Sequence, residues 1–259
     1  MNNILEKIAF NKRIEIEHMK IELSQTVLLK KIISNNIFKF RKALSDHDKI
    51  NIIAEIKKGS PSKGIISSDF NPGLIAQKYK EGGASAISVL TDEKYFYGRH
   101  EYLEMAKKMS GLPVLCKDFI IDKYQIYYAS YMKADAILLI VRMLTDIAIK
   151  EFINIAQEIG LDCLVETHNE EEVRRAVACG ADIIGVNNRD LSDFSVNLEL
   201  SEELAKLIPD NVLKVTESGI HSYEDILRLQ KSGYAAFLVG ESLMASDDAV
   251  AQLKVLRGL

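Results

Sequence analysis

Eight short apolar segments follow one another from residue 51 onward, and segments with helical spacing separate them. The apolar segments are rich in Ile, Val and Leu, which is typical of parallel strands buried on both faces. The predicted strands are Asn51–Ile56, Ala84–Leu90, Val114–Lys117, Asp135–Val141, Leu161–Glu166, Asp182–Asn187, Val212–Glu217 and Ala235–Gly240.

Helix boundaries between these strands carry recognisable signals. Thr145, Asn169 and Ser222 stand where N-caps belong, and a glycine follows several helix ends. The clearest predicted helices are Thr145–Ile159, Glu170–Cys179, Glu199–Leu207 and Ser222–Lys231, and the glycines are Gly160, Gly180 and Gly233.

Eight β–α units in about 200 residues predict an α/β fold, namely a closed (β/α)₈ barrel of the TIM type. The alternative is an open doubly wound sheet. A dinucleotide-binding version of that sheet is disfavoured because no GxGxxG motif follows the first strand.

Residues 1–48 form a different region, which we interpret as an N-terminal helical extension of a single domain over residues 1–259. Apolar residues recur there with helical spacing, which predicts one or two amphipathic helices. Two interpretations stay open: the helices plug the floor of the barrel, or they form a lid over the site. The apolar residues are Ile4, Leu5, Ile8, Leu28, Leu29, Ile32 and Ile33.

Composition excludes several classes of protein. The net charge of −4 gives no general attraction for nucleic acid or membrane, and no apolar segment approaches the roughly 18 residues of a membrane span. The N-terminus meets charges too early for a signal peptide. Three cysteines (Cys116, Cys163 and Cys179) show no metal or disulfide spacing, which predicts a cytoplasmic protein.

Polar side chains stand at the carboxyl ends of five predicted strands. Side chains alternate along a strand, so Ile53, Glu55 and Lys57 share one face, and we expect that face to point into the barrel. The third, fifth, sixth and seventh strands end near Lys117, Glu166, Asn187 and Glu217. Because the carboxyl ends form the mouth where such barrels hold their active sites, we expect these groups to meet there.

Two glycine turns follow the last two strands. The turn after the seventh is Ser218-Gly219, and the turn after the eighth is Gly240-Glu241. Loops in these positions are the usual phosphate site of the barrel, which predicts a phosphorylated small-molecule ligand. Two lysines and two carboxylates beside it suit acid–base chemistry on a carbonyl compound, or a Schiff base on one lysine.

Taken together, the strand-end motifs resemble the indole-3-glycerol phosphate synthase family over about Asn51 to Met244. The matching stretches are IIAEIKKGSPSKG, SVLTDEKYFYG, LPVLCKDFIID, AILLIV, LVETHNEEE, IIGVNNRDL, KVTESGI and FLVGESLM. The resemblance implies a carbon–carbon lyase of tryptophan biosynthesis. It would convert 1-(2-carboxyphenylamino)-1-deoxyribulose 5-phosphate to indole-3-glycerol phosphate, carbon dioxide and water, with neither a metal nor an organic cofactor.

The resemblance also implies roles for individual residues. Lys117 matches the general acid on the ketone, Lys57 a lysine near the substrate carboxylate, and Glu166 a base or a group that stabilises the developing cation. Glu55 and Asn187 match residues that orient the amines and the substrate hydroxyls. The implied substrate and phosphate ligands are Ser60, Arg189, Glu217, Ser218, Gly219, Gly240 and, through its backbone N–H, Glu241, and the aromatic-ring pocket is Phe96, Phe119, Leu138 and Leu191.

Two rival functions fit the sequence less well. Phosphoribosylanthranilate isomerase chemistry wants a Cys–Asp pair at the strand ends, whereas Cys116 should face the helices by alternation. A barrel that only binds or assembles would be expected to have lost part of its acid–base set, and here the whole set is present. The sequence does not determine the oligomeric state, with a monomer slightly favoured, and we expect no fused isomerase domain.

Overall fold

Eight parallel strands close into a barrel in the computed structural model, which describes residues 4–32, 38–60, 64–66, 70–190 and 195–259. Each strand pairs with the next along the chain, and the last pairs with the first. The predicted (β/α)₈ barrel is therefore confirmed, and an open sheet is excluded. The strands are β1 Asn51–Ile56, β2 Ala86–Leu90, β3 Val114–Lys117, β4 Ala136–Ile140, β5 Asp162–Thr167, β6 Ile183–Asn187, β7 Leu213–Glu217 and β8 Ala236–Val239.

Helices connect the strands and cover the barrel. The predicted helix over 199–207 is divided, because its last turn tightens into the 3₁₀ helix Ala205–Leu207; a second 3₁₀ helix is Val141–Met143. The α-helices in the described part of the chain are α1 Ile4–Glu22, α2 Gln25–Lys31, α3 Lys39–Leu44, α4 Pro72–Glu81, α5 Glu93–Phe96, α6 Glu101–Ser110, α7 Lys123–Tyr131, α8 Asp146–Glu158, α9 Glu170–Ala178, α10 Glu199–Leu204, α11 Tyr223–Lys231, α12 Glu241–Met244 and α13 Ala249–Leu256.

The predicted N-caps are confirmed. The side chains of Thr145, Asn169 and Ser222 each accept a backbone N–H from the residue three positions further on, which satisfies a donor that the helix itself leaves unpaired. These bonds begin α8, α9 and α11 at the positions that the sequence indicates.

The turns from helix to strand use the left-handed backbone region. Gly160, Gly180 and Gly233 adopt φ angles of +79°, +84° and +91°. The turn after α7 has Lys133 in the same region, at φ +69°. Lys133 stands where the other turns have glycine, and its backbone is strained because a residue with a side chain disfavours this conformation.

Strand side chains alternate between two apolar layers. Ile52, Ala54 and Ile56 of β1 pack outward against helices, together with Cys116 of β3, as predicted. Ile53 points into the barrel, where inward-facing residues of the strands form a second core. Alternation therefore places Glu55 on the inner face, above Ile53.

The N-terminal extension occupies both ends of the barrel: one of its helices closes the floor, and another lies at the mouth. α3 closes the floor: Phe40 and Leu44 join the inner core, and the Arg41 backbone N–H donates to Asp162 Oδ2 at the start of β5, at 2.9 Å. α1 lies at the mouth, where the Lys12 ammonium contacts the carboxylates of Asp92 and Asp118, which follow β2 and β3. Ile33 lies outside the described residues.

None of the helices within the described ranges combines the length and the apolar character needed to cross a bilayer. The organisation of residues 1–259 as one domain, with its extension ending at residue 48, stays a prediction.

Candidate active site

A cavity of about 200 Å³ opens at the carboxyl ends of the barrel strands. Polar side chains from the inner face of the barrel meet there, as the alternation predicted. Glu217 is fully buried and is not among the residues that line the cavity, and Leu191 lies outside the described residues. The predicted site residues that line the cavity are Glu55, Lys57, Ser60, Phe96, Lys117, Phe119, Leu138, Glu166, Asn187, Arg189, Ser218, Gly219, Gly240 and Glu241.

Two lysines share one carboxylate at the centre of the site. Lys117 ends β3, and its Nζ lies 3.0 Å from Glu55 Oε2 and 3.1 Å from Glu217 Oε2. The other oxygen of Glu55 accepts from Lys57 Nζ at 2.9 Å. The Lys117 side chain is 16% exposed and Glu217 is fully buried. These fixed distances hold the Lys117 ammonium in place beside the cavity.

Burial and charge act in opposite directions on these groups. Burial by itself raises the pKa of Glu55, but the Lys117 and Lys57 ammonium groups outweigh it and hold that pKa at about 2. Burial by itself lowers the pKa of Lys117, but the carboxylates of Glu55 and Glu217 raise it above its usual value. Burial raises the pKa of Glu217 to about 7 against the attraction of Lys117. Glu55 and Lys117 are therefore charged at neutral pH, whereas Glu217 titrates near it.

Glu166 and Asn187 complete the polar part from β5 and β6. The Glu166 carboxylate faces the cavity and contacts His168 behind it, at 3.3 Å. Asn187 Oδ1 accepts the Arg189 backbone N–H at 3.1 Å, which orders the loop after β6. The predicted role of Asn187 in orienting the amines stays a prediction.

The loops after β7 and β8 approach the site closely. Ser218 and Gly219 adopt φ angles of +67° and +79°, in the left-handed region. A Cβ at Gly240 would lie 2.4 Å from Glu55 Oε1, so glycine is required there to make room for the Glu55 carboxylate. Arg189 Nη2 lies 3.0 Å from Glu241 Oε2, which brings the guanidinium of the loop after β6 to the loop after β8.

Apolar side chains form the other wall of the cavity. The rings of Phe96 and Phe119 lie with centroids 5.9 Å apart and planes tilted by 37°. Leu138 contributes from inside the barrel. Helix α1 adds Ile4, Leu5 and Ile8 from the N-terminal extension.

Comparison with known proteins identifies the family. The model of the family described as "Indole-3-glycerol phosphate synthase" matches residues 5–256. The chain belongs to the indole-3-glycerol phosphate synthase family. The synthase of Ruminiclostridium cellulolyticum is 45% identical over 258 residues, which cover 98% of this chain and 99% of that protein. The synthase of Legionella pneumophila strain Paris is 45% identical over 248 residues, 96% of each chain.

More distant solved structures share the fold alone. A thiamine phosphate pyrophosphorylase from Pyrococcus furiosus superposes with a TM-score of 0.59 at 18% identity, covering 80% of this chain and 93% of that one. An N-acetylmannosamine-6-phosphate 2-epimerase from Clostridium perfringens gives 0.56 at 18% identity, covering 75% and 87%.

Membership of the indole-3-glycerol phosphate synthase family confirms the resemblance drawn from the motifs, and with it the class of activity, a carbon–carbon lyase of tryptophan biosynthesis. The rival isomerase reading fails on geometry as well. Cys116 packs in the outer core, and burial raises the pKa of its thiol to about 12, so it is not an acid–base group at the mouth.

Sequence reasoning missed two parts of the synthase site. Ile4, Leu5 and Ile8 line the cavity, which agrees with a helix that helps form the site, but the sequence did not single them out as site residues. His168 stands within the quoted stretch LVETHNEEE, two residues after Glu166, and no role was assigned to it. The period-two spacing of a strand could have found it, because Glu166 and His168 share a face. Among the described residues no cluster of His, Cys, Asp or Glu is arranged to hold a metal ion.

Proposed function

We propose that this chain catalyses the decarboxylating ring closure of 1-(2-carboxyphenylamino)-1-deoxyribulose 5-phosphate to indole-3-glycerol phosphate, with Lys117 as the general acid. Family membership supports the reaction. The observation that carries the assignment of the acid is the Lys117 ammonium, which lines the cavity and is held by Glu55 and Glu217 at 3.0 and 3.1 Å.

In the first step an aromatic carbon of the substrate attacks its ketone carbon while the Lys117 ammonium protonates the ketone oxygen. A cation fixed in a mostly buried site stabilises the negative charge that builds on this oxygen. The raised pKa of Lys117 keeps the amine protonated before the reaction. It also argues against a Schiff base, which needs a neutral amine.

Carbon dioxide and then water leave from the closed ring. Lys57 lies on the Glu55 side of the site and suits the substrate carboxylate, together with Ser60. The Glu166 carboxylate serves as a base or stabilises the cation that forms as the hydroxyl departs. Asn187 and Glu55 hold the amines and the substrate hydroxyls in position.

The two ends of the substrate are bound by different parts of the mouth. The phosphate is held by the Arg189 guanidinium and by the loops after β7 and β8, where it competes with the Glu241 carboxylate for Arg189. The aromatic ring lies against Phe96, Phe119 and Leu138, with Leu191 as a further expected contact. Holding both ends restrains a flexible chain, so that the reacting carbons meet.

Indole fluorescence tests the reaction directly, because the chain has no tryptophan. We expect emission to rise when the purified protein is mixed with the substrate. Lys117→Ala should slow that rise by roughly 10²–10⁴-fold, as expected for loss of an acid–base group. Lys123→Ala is the matched control, because Lys123 is half exposed and pairs with Glu151 outside the site.

The fold of the variant must be checked, because removal of Lys117 leaves Glu55 and Glu217 without their shared partner. Lys117→Met combined with Glu217→Gln removes one of these charges, and circular dichroism with urea unfolding shows whether each variant is native. A flat trace from native wild-type protein would contradict the proposed reaction. Full turnover by native Lys117→Ala would contradict only the assignment of the acid.

We also propose that the protein acts as a monomer in the cytoplasm. Cys116, Cys163 and Cys179 are buried free thiols, which supports a reducing compartment. Light scattering after gel filtration tests the monomer, for which the expected mass is 29.1 kDa. A mass near twice that value would contradict it.

A further inference from the structure

His168 lies directly behind the carboxylate that we assign as base. Glu166 and His168 stand two residues apart at the end of β5, and their side chains are 4% and 3% exposed. His168 Nε2 lies 3.3 Å from Glu166 Oε1. Glu166 faces the cavity, whereas His168 is not among the described residues that line it. The imidazole therefore acts on the substrate only through Glu166.

The other side of the imidazole is fixed by a second carboxylate. His168 Nδ1 lies 3.2 Å from Glu172 Oε2, which also accepts the His168 backbone N–H at 2.8 Å. The other Glu172 oxygen accepts from Arg142 Nε at 3.1 Å. Burial by itself raises the pKa of Glu172, but the bond from His168 and the charge of Arg142 bring it below its usual value. Glu172 is therefore ionised and only accepts, so Nδ1 must carry a hydrogen.

This tautomer leaves a conflict at Nε2. In a neutral imidazole with a hydrogen on Nδ1, Nε2 presents a lone pair, and so does the carboxylate oxygen of Glu166. Two acceptors 3.3 Å apart repel each other in a buried site. Within the described residues Nε2 is buried and has no aligned hydrogen-bond partner. A hydrogen on Nε2 removes the repulsion and leaves an imidazolium between two carboxylates.

We propose that His168 is a positioning residue for the base: a doubly protonated imidazole that lies between Glu172 and Glu166 and holds the Glu166 side chain toward the cavity. The proposal rests on the proposed function for the role of Glu166. It requires no proton transfer from His168, because the Nε2 hydrogen stays on the ring and its positive charge lies close to Glu166 Oε1, with Nε2 and Oε1 3.3 Å apart. Its effect is on the orientation of Glu166, and so on the steps after ring closure.

Kinetics of four variants test the role. His168→Leu has a similar volume but removes the donor. We expect kcat to fall roughly 10-fold or more, which is part of the 10²–10⁴-fold that an acid–base group supplies. KM should stay within about twofold. His168→Gln carries an amide N–H near the position of Nε2 and should recover most of kcat. In a Glu166→Gln background, His168→Leu should add almost no further loss, because the two residues act as one unit.

A purely structural histidine gives a different pattern. His168→Leu would then lower stability with kcat unchanged for the folded protein, or its loss would add in full to that of Glu166→Gln, and either outcome overturns the proposal. Nitrogen-15 NMR of the histidine rings is independent of turnover. Two protonated nitrogens in His168 at neutral pH are expected, and an unprotonated Nε2 overturns the proposal even if indole forms. Absence of indole from wild-type protein would count against the proposed function, not against this ring state.

Discussion

The mouth and the floor of the barrel are both buried, but different forces hold them together. At the floor, Phe40 and Leu44 of α3 are fully buried among apolar strand residues. At the mouth, Glu55 and Glu217 are also buried, Lys117 is mostly buried, and all three side chains are ionisable. Apolar burial adds directly to stability, whereas a buried ion pair returns little after desolvation and instead fixes geometry.

The two ends of the N-terminal extension repeat this difference. α3 is attached through Phe40 and Leu44, with one bond from the Arg41 N–H to Asp162. α1 is attached through Lys12, whose Nζ lies 2.9 to 3.0 Å from the carboxylates of Glu15, Asp92 and Asp118. Substitutions at the floor should therefore change stability alone, and those at the mouth should also change turnover.

Phe40→Ala gives the largest expected change in stability. Deleting a fully buried ring leaves a cavity in the inner core, and we expect the free energy of unfolding to fall by about 3–5 kcal/mol. The value of kcat should stay within about twofold, because Phe40 lies at the opposite end of the barrel. Urea unfolding and steady-state rates on native protein measure both quantities. A fall in kcat with stability intact would break the distinction between floor and mouth.

Lys12→Met tests the attachment of α1. Replacement of Lys12 leaves the buried carboxylates of Asp92 and Asp118 without their cation, and the free energy of unfolding should fall by about 3 kcal/mol. This value is at the low end for a broken buried ion pair because the third partner, Glu15, is partly exposed. KM should rise as well, since Ile4, Leu5 and Ile8 of the same helix line the cavity.

Lys20→Met is the matched control for this variant. Lys20 also joins α1 to the barrel, at 2.9 Å from Asp122, but the two side chains are 30% and 34% exposed. Such a surface pair is worth about 0–1 kcal/mol. We expect Lys20→Met to leave KM unchanged. Equal effects of the two substitutions on KM would show that Lys12 has no special role at the mouth.

Local patterns in the sequence were sufficient to predict the barrel and most of its site. Alternation placed Ile53 and Glu55 inside and Cys116 outside, because a strand has only two faces. It could not show that Lys12 is buried, because its partners Asp92 and Asp118 lie about 80 and 106 residues away and a charged helix position predicts solvent. The sequence predicts Gly240 as a phosphate contact. It does not show that Gly240 also makes room for the Glu55 carboxylate, because that depends on the packing of β1 against β8.

A carboxyl group with a raised pKa lies at each end of the barrel, and the floor is the simpler case. Burial raises the pKa of Asp162 to about 6 from an ordinary 3.8, against the bond from Arg41. As the pH rises, Asp162 loses its proton at a lower pH in the unfolded chain than in the folded protein, so the stability of the folded protein falls between about pH 4 and 6. Asp162→Asn removes the titration and still accepts the Arg41 N–H. We expect it to be about 1–2 kcal/mol more stable than wild type at pH 7, equal to it below pH 4, and unchanged in kcat.

Glu217→Gln should show the same sign at the mouth with a cost in activity. Its pKa of about 7 lies above the ordinary 4.5, so the wild-type protein loses stability as the pH rises from 4.5 to 7. Above that window the neutral variant should be more stable by a similar amount. The value of kcat should fall, because Lys117 loses a charged partner that lies 3.1 Å away. Urea unfolding at pH 4, 6 and 8 checks both variants, and a Glu217→Gln enzyme with full kcat would contradict the comparison.

The smallest expected effects concern two residues strained in the same way at opposite ends. Lys133 and Ser218 both adopt left-handed φ angles, +69° and +67°. Strain of about 1–2 kcal/mol at each is partly offset by the entropy that glycine loses on folding, so either residue changed to Gly should stabilise by about 0.5–1 kcal/mol.

Kinetics should separate these two glycine variants. Lys133 precedes β4 at the floor end, and Lys133→Gly should leave KM unchanged. Ser218 lines the cavity, and Ser218→Gly should raise KM for the phosphorylated substrate by removing a hydroxyl. A glycine at position 218 would relieve the backbone strain, so a strained serine is expected there if its hydroxyl binds the ligand. An unchanged KM in Ser218→Gly would instead leave the phosphate to Arg189 and the loop amides, and the strain at Ser218 would then be no more functional than that at Lys133.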